Sequence, residues 1–420
     1  MPESSQIQDW LAAIEAVHPG DIELGLERVG AVARRMGLLP APIPVVLVGG
    51  TNGKGSVLAF LEEALLTAGH RVGGFTSPHL FRFNERIRVG GRPVGDGALI
   101  AAFEAVDAAR EGIPLTYFEF TTLAAMAVFA DQADLALLEV GLGGRLDAVN
   151  IWEPEVSVIT SVDLDHQAFL GWDRETIGAE KAGILRPGVP AVCGDPDPPR
   201  SLLAERSSGM SVQGRDFRAE VANGQWYWAA GPERLGPLPP PRMAGNYQLR
   251  NAATAIAAGR QLPVGFRPGA AVWEQALATA SIPGRGQVIE GAVPVWLDVA
   301  HNPGASGELA TLLRQHPVTG RTLAIFGAMR DKQVSEVAGA MAGAIDRWYP
   351  CAIALERGLS GTEVAERLPV DGAAVADPAA GPVEALAAAR AEAGEGDRIV
   401  AFGSFLVVAG VLERMDAVPS

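Results

Sequence analysis

The fold is decided by the stretch VVLVGGTNGKGS at residues 45–56, which combines a strand, a glycine loop and the start of a helix. Residues 45–48 are all apolar and mostly β-branched, which favours a buried strand. Residues 57–68 then carry apolar side chains at helical spacing. The backbone N–H groups of such a loop, the helix dipole and the charge of Lys54 together form a cradle for phosphate. The stretch therefore predicts a site for a nucleoside triphosphate.

The loop departs from the common G-x-x-x-x-G-K-[ST] pattern, because position 48 is Val and because Gly55 separates Lys54 from Ser56. A glycine-rich turn with a surface lysine is the alternative, and the flanking strand and helix argue against it. GTNGKGS at residues 50–56 resembles the loop of ATP-dependent amide ligases of the Mur ligase superfamily, in particular the folylpolyglutamate synthase and dihydrofolate synthase branch. Under this resemblance the loop residues that bind ATP are Asn52, Gly53, Lys54, Gly55 and Ser56.

Length and charge restrict the class of protein. A chain of 420 residues exceeds what one hydrophobic core usually supports, so we expect two or three domains. The hydrophobic fraction of 48% and charged fraction of 20% are ordinary for a globular protein and argue against extensive disorder. The net charge of −15 argues against nucleic acid or an anionic membrane as a partner. Positive charge for a nucleotide must therefore be concentrated locally, and the candidates are Lys54, Arg86, Arg145, Lys181 and Arg285.

Cysteine content and the lack of a targeting pattern predict the location. Cys193 and Cys351 are the only cysteines, too few for a disulfide framework or a cysteine-based zinc site. The first residues lack the basic-then-apolar pattern of a signal peptide, and no uncharged apolar run reaches about eighteen residues. We therefore expect a cytoplasmic protein without a membrane segment.

Strand-like and helix-like segments alternate along the chain, which is typical of an α/β fold with a mostly parallel sheet. Residues 195–242 interrupt this alternation and are expected to form an excursion that contains a hairpin. The turn SIPGRG at residues 281–286 is the best candidate for a hinge. We place an N-terminal P-loop domain for ATP and pterin at residues 1–283 and a smaller Rossmann-like domain, on the glutamate side, at residues 287–420. The resemblance implies this two-domain Mur-ligase-like arrangement.

Three polar side chains near the ends of predicted strands suggest a metal site. Ser77 follows the second strand within TSPHL, and Glu139 ends a buried apolar strand, where an unpaired carboxylate would be costly. His166 closes a third apolar strand within DLDH. A lone histidine is more often structural, but these three ligand types leave room for water and phosphate, as Mg²⁺ prefers. The SPHL motif with a following ERI is a hallmark of the folate ligases, and the resemblance assigns all three residues to Mg²⁺.

The motif EKAGIL at residues 180–185 ends a predicted helix. A basic residue there is ordinary, because it suits the helix dipole. In the family that the chain resembles, the lysine of this motif is carbamylated. The resemblance therefore implies a carbamate on Lys181, which would turn a cation into an anionic oxygen ligand.

Four further residues are assigned by the resemblance. On their own, Asn251 is consistent with a helix cap and Arg285 with a charge at the hinge. Asp298 and His301 are consistent with a turn after a strand. Their types, order and approximate separation match ATP-binding positions of the folate ligases. Asn251 would contact the adenine, Arg285 the phosphates and Asp298 the nucleotide. His301 resembles a position that faces the reaction centre.

The pterin site is also implied by the resemblance. DIELGLERV at residues 21–29, LTYFEF at residues 115–120 and LDA at residues 146–148 resemble segments near the pterin in bifunctional enzymes. Aromatic side chains there can stack on a flat heterocycle, although they more often pack in a core. GLG at residues 141–143 supports a nicotinamide site only weakly, since the third glycine of that fingerprint is replaced by Leu. The residues assigned to pterin are Asp21, Ile22, Glu23, Thr116, Tyr117, Phe118, Glu119, Leu146, Asp147 and Ala148.

The resemblance covers residues 7–415 and implies a ligase that adds L-glutamate to dihydropteroate and to reduced folates through an acyl phosphate. Lys54, Lys181 and His301 are its expected catalytic residues. ATP and Mg²⁺ are the expected cofactors, with a monovalent cation such as K⁺ as a further candidate, and we expect a monomer. The alternatives are a monofunctional folylpolyglutamate synthase, a Mur-type ligase of cell-wall precursors and, in another class, a P-loop switch that binds nucleotide without ligation.

Overall fold

The computed structural model describes residues 6–17, 23–204, 209–368 and 372–415. The chain forms two compact units. The first contains the described residues up to Asp163 together with Ala168–Arg242 and Leu249–Ala280, and the second contains Leu164–Gln167, Met243–Gln248 and the described residues from Ser281. The sequence-based boundary placed both short segments in the first domain. They count with the second unit because Asp165 and Tyr247 make their side-chain hydrogen bonds there.

Strands and helices alternate in both units. The strands of the first unit are β1 Val45–Gly49, β2 Val72–Phe75, β3 Ile87–Val89, β4 Arg92–Pro93, β5 Leu135–Glu139, β6 Val156–Ile159, β7 Ala191–Cys193, β8 Met210–Val212, β9 Arg218–Ala222, β10 Gln225–Ala230 and β11 Glu233–Leu238. The strands of the second unit are β12 Gln287–Ile289, β13 Val295–Leu297, β14 Thr322–Phe326, β15 Arg347–Pro350, β16 Ala374–Val375 and β17 Arg398–Phe402.

The α-helices of the described residues, in order, are α1 Ile7–Val17, α2 Glu27–Arg35, α3 Lys54–Thr67, α4 Asp96–Arg110, α5 Tyr117–Gln132, α6 Gln167–Leu170, α7 Arg174–Ala182, α8 Arg200–Ala204, α9 Asn246–Gln261, α10 Ala270–Thr279, α11 Pro303–Gln315, α12 Val334–Ala340, α13 Gly361–Arg367, α14 Pro382–Glu392 and α15 Phe405–Arg414. Within the described ranges, none of these helices is long and apolar enough to cross a membrane.

Among the described residues of the first unit, eight strands form one sheet in the order β4-β3-β2-β5-β1-β6-β7-β8. From β2 to β8 in this order all neighbours are parallel, whereas β3 and β4 pair antiparallel at one edge. Strand β1 is buried throughout and lies between β5 and β6, because its apolar side chains on both faces suit a parallel sheet covered by helices. Its last residues align with Glu139 and Ile159, so the loops after these three strands emerge at one edge of the sheet.

The excursion predicted at residues 195–242 contains a second, antiparallel sheet. Among its described residues, β9, β10 and β11 pair in the order β11-β10-β9. Trp226 and Trp228 of β10 are buried, and Nε1 of Trp228 donates to the carbonyl oxygen of Ala253 at 3.1 Å. The hairpin expected from the sequence therefore has a third strand and belongs to the first unit rather than to a separate one.

The second unit has its own sheet and core. Its six strands in the described ranges follow the order β12-β13-β17-β14-β15-β16, and only β12 is antiparallel to its neighbour. The rings of Phe326, Trp348 and Phe402 pack against each other with centroids 4.9 to 6.0 Å apart. Arg398 is buried at the start of β17, where Nη1 donates to the carbonyl oxygen of Leu313 at 2.9 Å and so satisfies the end of α11.

Candidate active site

The loop after β1 is held by the end of the neighbouring strand β6. Thr160 Oγ1 and Ser161 Oγ both donate to the carbonyl oxygen of Asn52, at 2.6 and 3.0 Å. Helix α3 begins at Lys54, three residues earlier than its apolar pattern, and Lys54 Nζ donates to two carbonyl oxygens of the loop at 3.1 and 3.2 Å. The N–H groups of a first helical turn lack intrahelical partners, so the loop offers an anion both donors and positive charge.

Gly50 sets the shape of this loop. Its φ is +140°, which L side chains rarely adopt, and a Cβ there would lie 2.0 Å from Thr160 Oγ1. We expect Gly50→Ala to lower the free energy of unfolding by about 1–3 kcal/mol, measured by urea denaturation. Gly97→Ala in α4 is the matched control, because a Cβ at Gly97 meets no atom within 4 Å. Equal stability of the two variants would contradict the packing described for the loop.

Two of the three predicted metal ligands lie together in the first unit. Glu139 is buried at the end of β5, and its Oε2 accepts the backbone N–H of Ser77 at 3.3 Å. The contact brings the backbone of Ser77 to the carboxylate of Glu139, and a serine hydroxyl and a carboxylate are the kind of hard oxygen ligands that Mg²⁺ takes. Among the described residues no group of three or more His, Cys, Asp or Glu side chains could hold a metal ion. The three predicted ligands are not a group of this kind, because one of them is Ser77.

The position of His166 differs from the sequence interpretation, in which it closes a strand. Strand β6 ends at Ile159, because the next two residues use their side chains to hold the loop after β1. His166 instead lies in the segment Leu164–Gln167, which counts with the second unit, and its φ is +49°. Oδ1 of Asp165 accepts the backbone N–H of His166 at 2.8 Å and supports this uncommon conformation. Its role as a metal ligand stays a prediction.

The segment that carries Ser77 is braced from two sides. The carboxylate of Glu85 accepts three consecutive backbone N–H groups, of residues 80–82, at 2.7 to 2.9 Å. Arg88 donates to the carbonyl oxygen of Glu85 and, through Nη2, to Glu62 on α3 at 2.6 Å. The side chain of Arg88 is only 19% exposed, so this brace is largely buried.

A capping box accounts for two of the predicted pterin residues. Thr116 Oγ1 accepts from the N–H of Glu119 at 3.2 Å, and Glu119 Oε2 accepts from the N–H of Thr116 at 2.8 Å, so the start of α5 is satisfied. Arg28 donates to Glu119 at 3.2 Å and also pairs with Glu23. A further role of these side chains at a pterin stays a prediction. Two more of the assigned residues lie outside the described ranges, namely Asp21 and Ile22.

The two aromatic side chains at the start of α5 are partly buried. The ring of Phe118 packs on Phe75 with centroids 5.6 Å apart, and a Cβ on Gly141 would lie 2.7 Å from Phe118. Glycine at 141 therefore lets the strand-end loop approach this ring. The Tyr117 ring lies 5.5 Å from the guanidinium carbon of Arg86.

Asp147 is buried after this loop, between Leu146 and Ala148. Its Oδ2 accepts the N–H of Leu142 at 2.8 Å, and its Oδ1 accepts the N–H of Val149 at 3.1 Å. Burial raises the pKa of Asp147 to about 6, although the N–H donors and the charge of Lys54 oppose the rise. The pKa of Asp147 therefore lies closer to neutral pH than that of an exposed aspartate, while both of its oxygens accept backbone N–H groups. Its role at a pterin stays a prediction.

Lys181 lies in the last turn of α7 and is only 3% exposed. A buried ammonium is costly, so the side chain needs a polar setting or a chemical change that removes its positive charge. The carbamate implied by the resemblance stays a prediction.

Asn251 and Asp298 occupy defined polar positions, one in each unit. A Cβ on Gly53 would lie 2.6 Å from Oδ1 of Asn251, so this side chain borders the loop after β1. Asp298 is buried and accepts the N–H groups of Gly286 and Ala300 at 2.9 and 2.8 Å. Burial raises the pKa of Asp298, and the charge of Arg285 opposes the rise.

His301 belongs to a polar cluster of the second unit that the sequence did not predict. Its Nε2 lies 3.5 Å from Oδ2 of Asp165, which also accepts from Asn302 at 3.1 Å. Lys332 Nζ donates to Oδ1 of Asp165 at 2.6 Å. Burial would raise the pKa of Asp165, but His301 and Lys332 outweigh burial and hold the pKa well below its usual range. No local pattern could reveal this cluster, since its members are distant in sequence.

Comparison with known proteins identifies the family. Residues 284–405 match the family model of the Mur ligase glutamate ligase domain. The chain is 39% identical over 419 residues to the dihydrofolate synthase/folylpolyglutamate synthase of Escherichia coli strain K12, covering 99% of this chain and 96% of that protein. The chain belongs to the dihydrofolate synthase/folylpolyglutamate synthase family. The family resemblance and the ligase class predicted from the sequence are thereby confirmed.

Solved structures of this family share the fold. An E. coli FolC structure in complex with DHPP and ADP matches with a TM-score of 0.93 and 38% identity over 99% of both chains. A bifunctional folylpolyglutamate synthase/dihydrofolate synthase with Mn, AMPPNP and L-glutamate bound matches with a TM-score of 0.89 and 39% identity over 98% of both chains. The expected two-domain α/β fold of the Mur ligase type is thereby confirmed.

Proposed function

We propose that this chain is an ATP-dependent carboxylate–amine ligase that adds L-glutamate to dihydropteroate, giving dihydrofolate, and to reduced folates, giving polyglutamates. The observation that carries the proposal is the 39% identity over 99% of the chain to a relative named for both activities. The loop after β1 supports it, because it supplies the phosphate cradle that such a reaction needs.

The chemistry needs positioning and charge neutralisation rather than a covalent nucleophile. The carboxylate of the acceptor attacks the γ-phosphorus of ATP, ADP leaves and an acyl phosphate forms. The amine of L-glutamate then attacks the acyl carbon and phosphate leaves. Lys54 and the N–H groups at the start of α3 hold the phosphates and offset the charge of the two reacting anions.

A divalent cation fits the first unit, where Ser77 and Glu139 lie side by side. These residues would hold Mg²⁺, which neutralises phosphate charge when bound. A related structure contains Mn with AMPPNP, which supports a divalent metal and ATP as cofactors here. The assignments of His166, Lys181, Asn251, Arg285, Asp298 and His301 remain part of this proposal.

Release of phosphate tests the proposal. Purified protein with ATP and Mg²⁺ should release phosphate only when both L-glutamate and a pterin acceptor are present. A P-loop switch would hydrolyse ATP without either addition, and a Mur-type ligase of cell-wall precursors would not respond to pterins. Either result would contradict the proposed function.

Asp147 offers a test of bifunctionality. We expect Asp147→Ala to lower dihydrofolate synthesis at least about 10-fold more than glutamate extension, because it removes a buried carboxyl group next to the segments assigned to dihydropteroate. Rates with dihydropteroate and with tetrahydrofolate measure the difference. Asp147→Asn is the matched control, since its amide oxygen still accepts the N–H of Val149. Equal loss of both activities in Asp147→Ala, with full recovery in Asp147→Asn, would indicate a structural role only.

Activity on tetrahydrofolate alone would reduce the chain to a monofunctional folylpolyglutamate synthase.

We also propose that the protein is cytoplasmic and monomeric. Two buried free cysteines and the net charge of −15 are consistent with both. Light scattering of the purified protein tests the monomer.

A further inference from the structure

Arg86 has no carboxylate in contact with it in the described part of the chain, and only the more distant charges of Glu139, Glu85 and Glu15 act on it. Its Nε donates to Nδ1 of His79 at 2.8 Å, and its guanidinium carbon lies 5.7 Å from the Phe83 ring and 5.5 Å from the Tyr117 ring. The accepting nitrogen of His79 bears no proton and no negative charge. Within the described ranges Arg86 forms no ion pair and no other side-chain hydrogen bond, while part of its surface remains accessible.

Two neighbouring arginines of the same segment, unlike Arg86, each form an ion pair with a carboxylate. Arg82 pairs with Asp96 at 3.2 Å, and Arg88 pairs with Glu62 at 2.6 Å. The nearest carboxylate in sequence, that of Glu85, is engaged by the N–H groups of residues 80–82. Arg86 alone of the three is left with aromatic rings and a neutral imidazole.

A partly buried guanidinium without a counter-ion costs free energy. Taking such a charge out of water is costly unless an anion replaces the water, and cation–π contacts recover only about 0.5–2 kcal/mol. Burial accordingly lowers the pKa of Arg86, against the influence of Tyr117 and Glu139. A charge kept at such cost beside a predicted substrate segment is a candidate for ligand binding.

The surroundings define the ligand. The partly exposed ring of Tyr117 suits a flat aromatic group, whereas the Phe83 ring is buried against Phe103. The remaining planar fork of N–H donors on Arg86 matches a carboxylate. Tyr117 begins α5 in the segment assigned to pterin, and Glu139, a predicted metal ligand, is close enough to influence Arg86 electrostatically. A ligand bound here would therefore place its aromatic ring at Tyr117 and its carboxylate at Arg86, near the predicted metal ligand Glu139.

We propose that Arg86 binds the carboxylate of the acceptor that becomes the acyl phosphate, with Tyr117 beside the attached aromatic ring. This inference rests on the proposed function, because it assumes that the acceptor is dihydropteroate or a folate. Arg86 then offsets the negative charge of the acceptor as the carboxylate approaches ATP. The sequence presented Arg86 only as part of the ERI motif and as a candidate charge for the nucleotide, not as a residue that binds the acceptor.

Equilibrium binding without ATP tests the role of Arg86. Calorimetry compares dihydropteroate with an analogue that has the same pterin and aniline but lacks the carboxylate. We expect Arg86→Gln to bind dihydropteroate about 10- to 100-fold more weakly than wild type and the decarboxylated analogue equally well. Arg86→Lys should be intermediate, since it keeps the charge but not the fork. Arg82→Gln, which removes a mostly exposed arginine of the same segment, should bind both ligands like wild type.

Unchanged binding of dihydropteroate to Arg86→Gln would overturn the inference. An equal loss for both ligands would also overturn it, because the effect would then not depend on the carboxylate. The comparison between ligands within one variant separates recognition from misfolding. Wild-type protein that binds neither dihydropteroate nor tetrahydrofolate would contradict the proposed function itself, before any variant is compared.

Discussion

Replacing Lys54 by alanine is expected to reduce turnover by about 100-fold or more while the fold is retained. Lys54 is the first residue of α3, beside the loop after β1, where its positive charge would stabilise the phosphoryl group that is transferred. Loss of one electrostatic contact of this kind costs about 3 kcal/mol or more in the transition state. Initial rates of phosphate release with both substrates at saturation measure the effect.

Two controls isolate the charge of Lys54. Lys54→Met keeps the aliphatic stem and removes only the ammonium group, so it should be as inactive as Lys54→Ala. Arg92→Ala removes an exposed cation elsewhere in the same unit and should leave turnover unchanged. Circular dichroism and thermal unfolding establish that each variant is folded. A folded Lys54→Ala protein with near-normal turnover would show that the loop is not the phosphate site.

Replacing Lys181 by alanine should also reduce activity by about 100-fold or more, with partial recovery in formate or acetate. The carbamate expected on Lys181 supplies an anionic oxygen ligand, and its loss removes a charge from the reaction centre. A short carboxylate can enter the space left by the removed side chain and replace that oxygen. Initial rates with and without added carboxylate measure the recovery.

Lys181→Met is the matched control for this rescue. Its side chain fills the same buried space, so formate should restore little activity. Labelling with ¹³C bicarbonate should give a carbamate signal in wild-type protein that is missing in both variants. A wild-type lysine that stays unmodified in the active enzyme would contradict the assignment, and recovery of Lys181→Met by formate would show that added anions act elsewhere.

The sequence predicted the elements with strong local signals. The local pattern predicts a helix at Arg174–Ala182 and strands at Gln287–Ile289, Thr322–Phe326 and Arg398–Phe402. The bounds of α7, β12, β14 and β17 agree with these segments. The short strands β3 and β4 were not predicted. They contain two or three residues each and depend on antiparallel pairing at the edge of the sheet, which no local periodicity records.

Parts of the candidate site were also predictable from local chemistry. A glycine loop between a buried strand and a helix indicates phosphate, and Glu139 at the end of a buried strand indicates a ligand or a partner. The ion pairs that hold the surrounding segments in place were not predictable. Arg88 pairs with Glu62, and Lys332 pairs with Asp165, across distances in sequence that no motif spans. The roles at pterin and nucleotide were inferred from family resemblance rather than from physics.

Mass analysis of reaction products tests the central claim most directly. The protein is incubated with ATP, Mg²⁺ and L-glutamate, once with dihydropteroate and once with tetrahydrofolate. The proposed function predicts a product one glutamyl residue heavier than dihydropteroate, and a series of products with added glutamyl residues from tetrahydrofolate, each dependent on ATP. The absence of any glutamylated product from either acceptor, in folded protein that binds ATP, would contradict the claim.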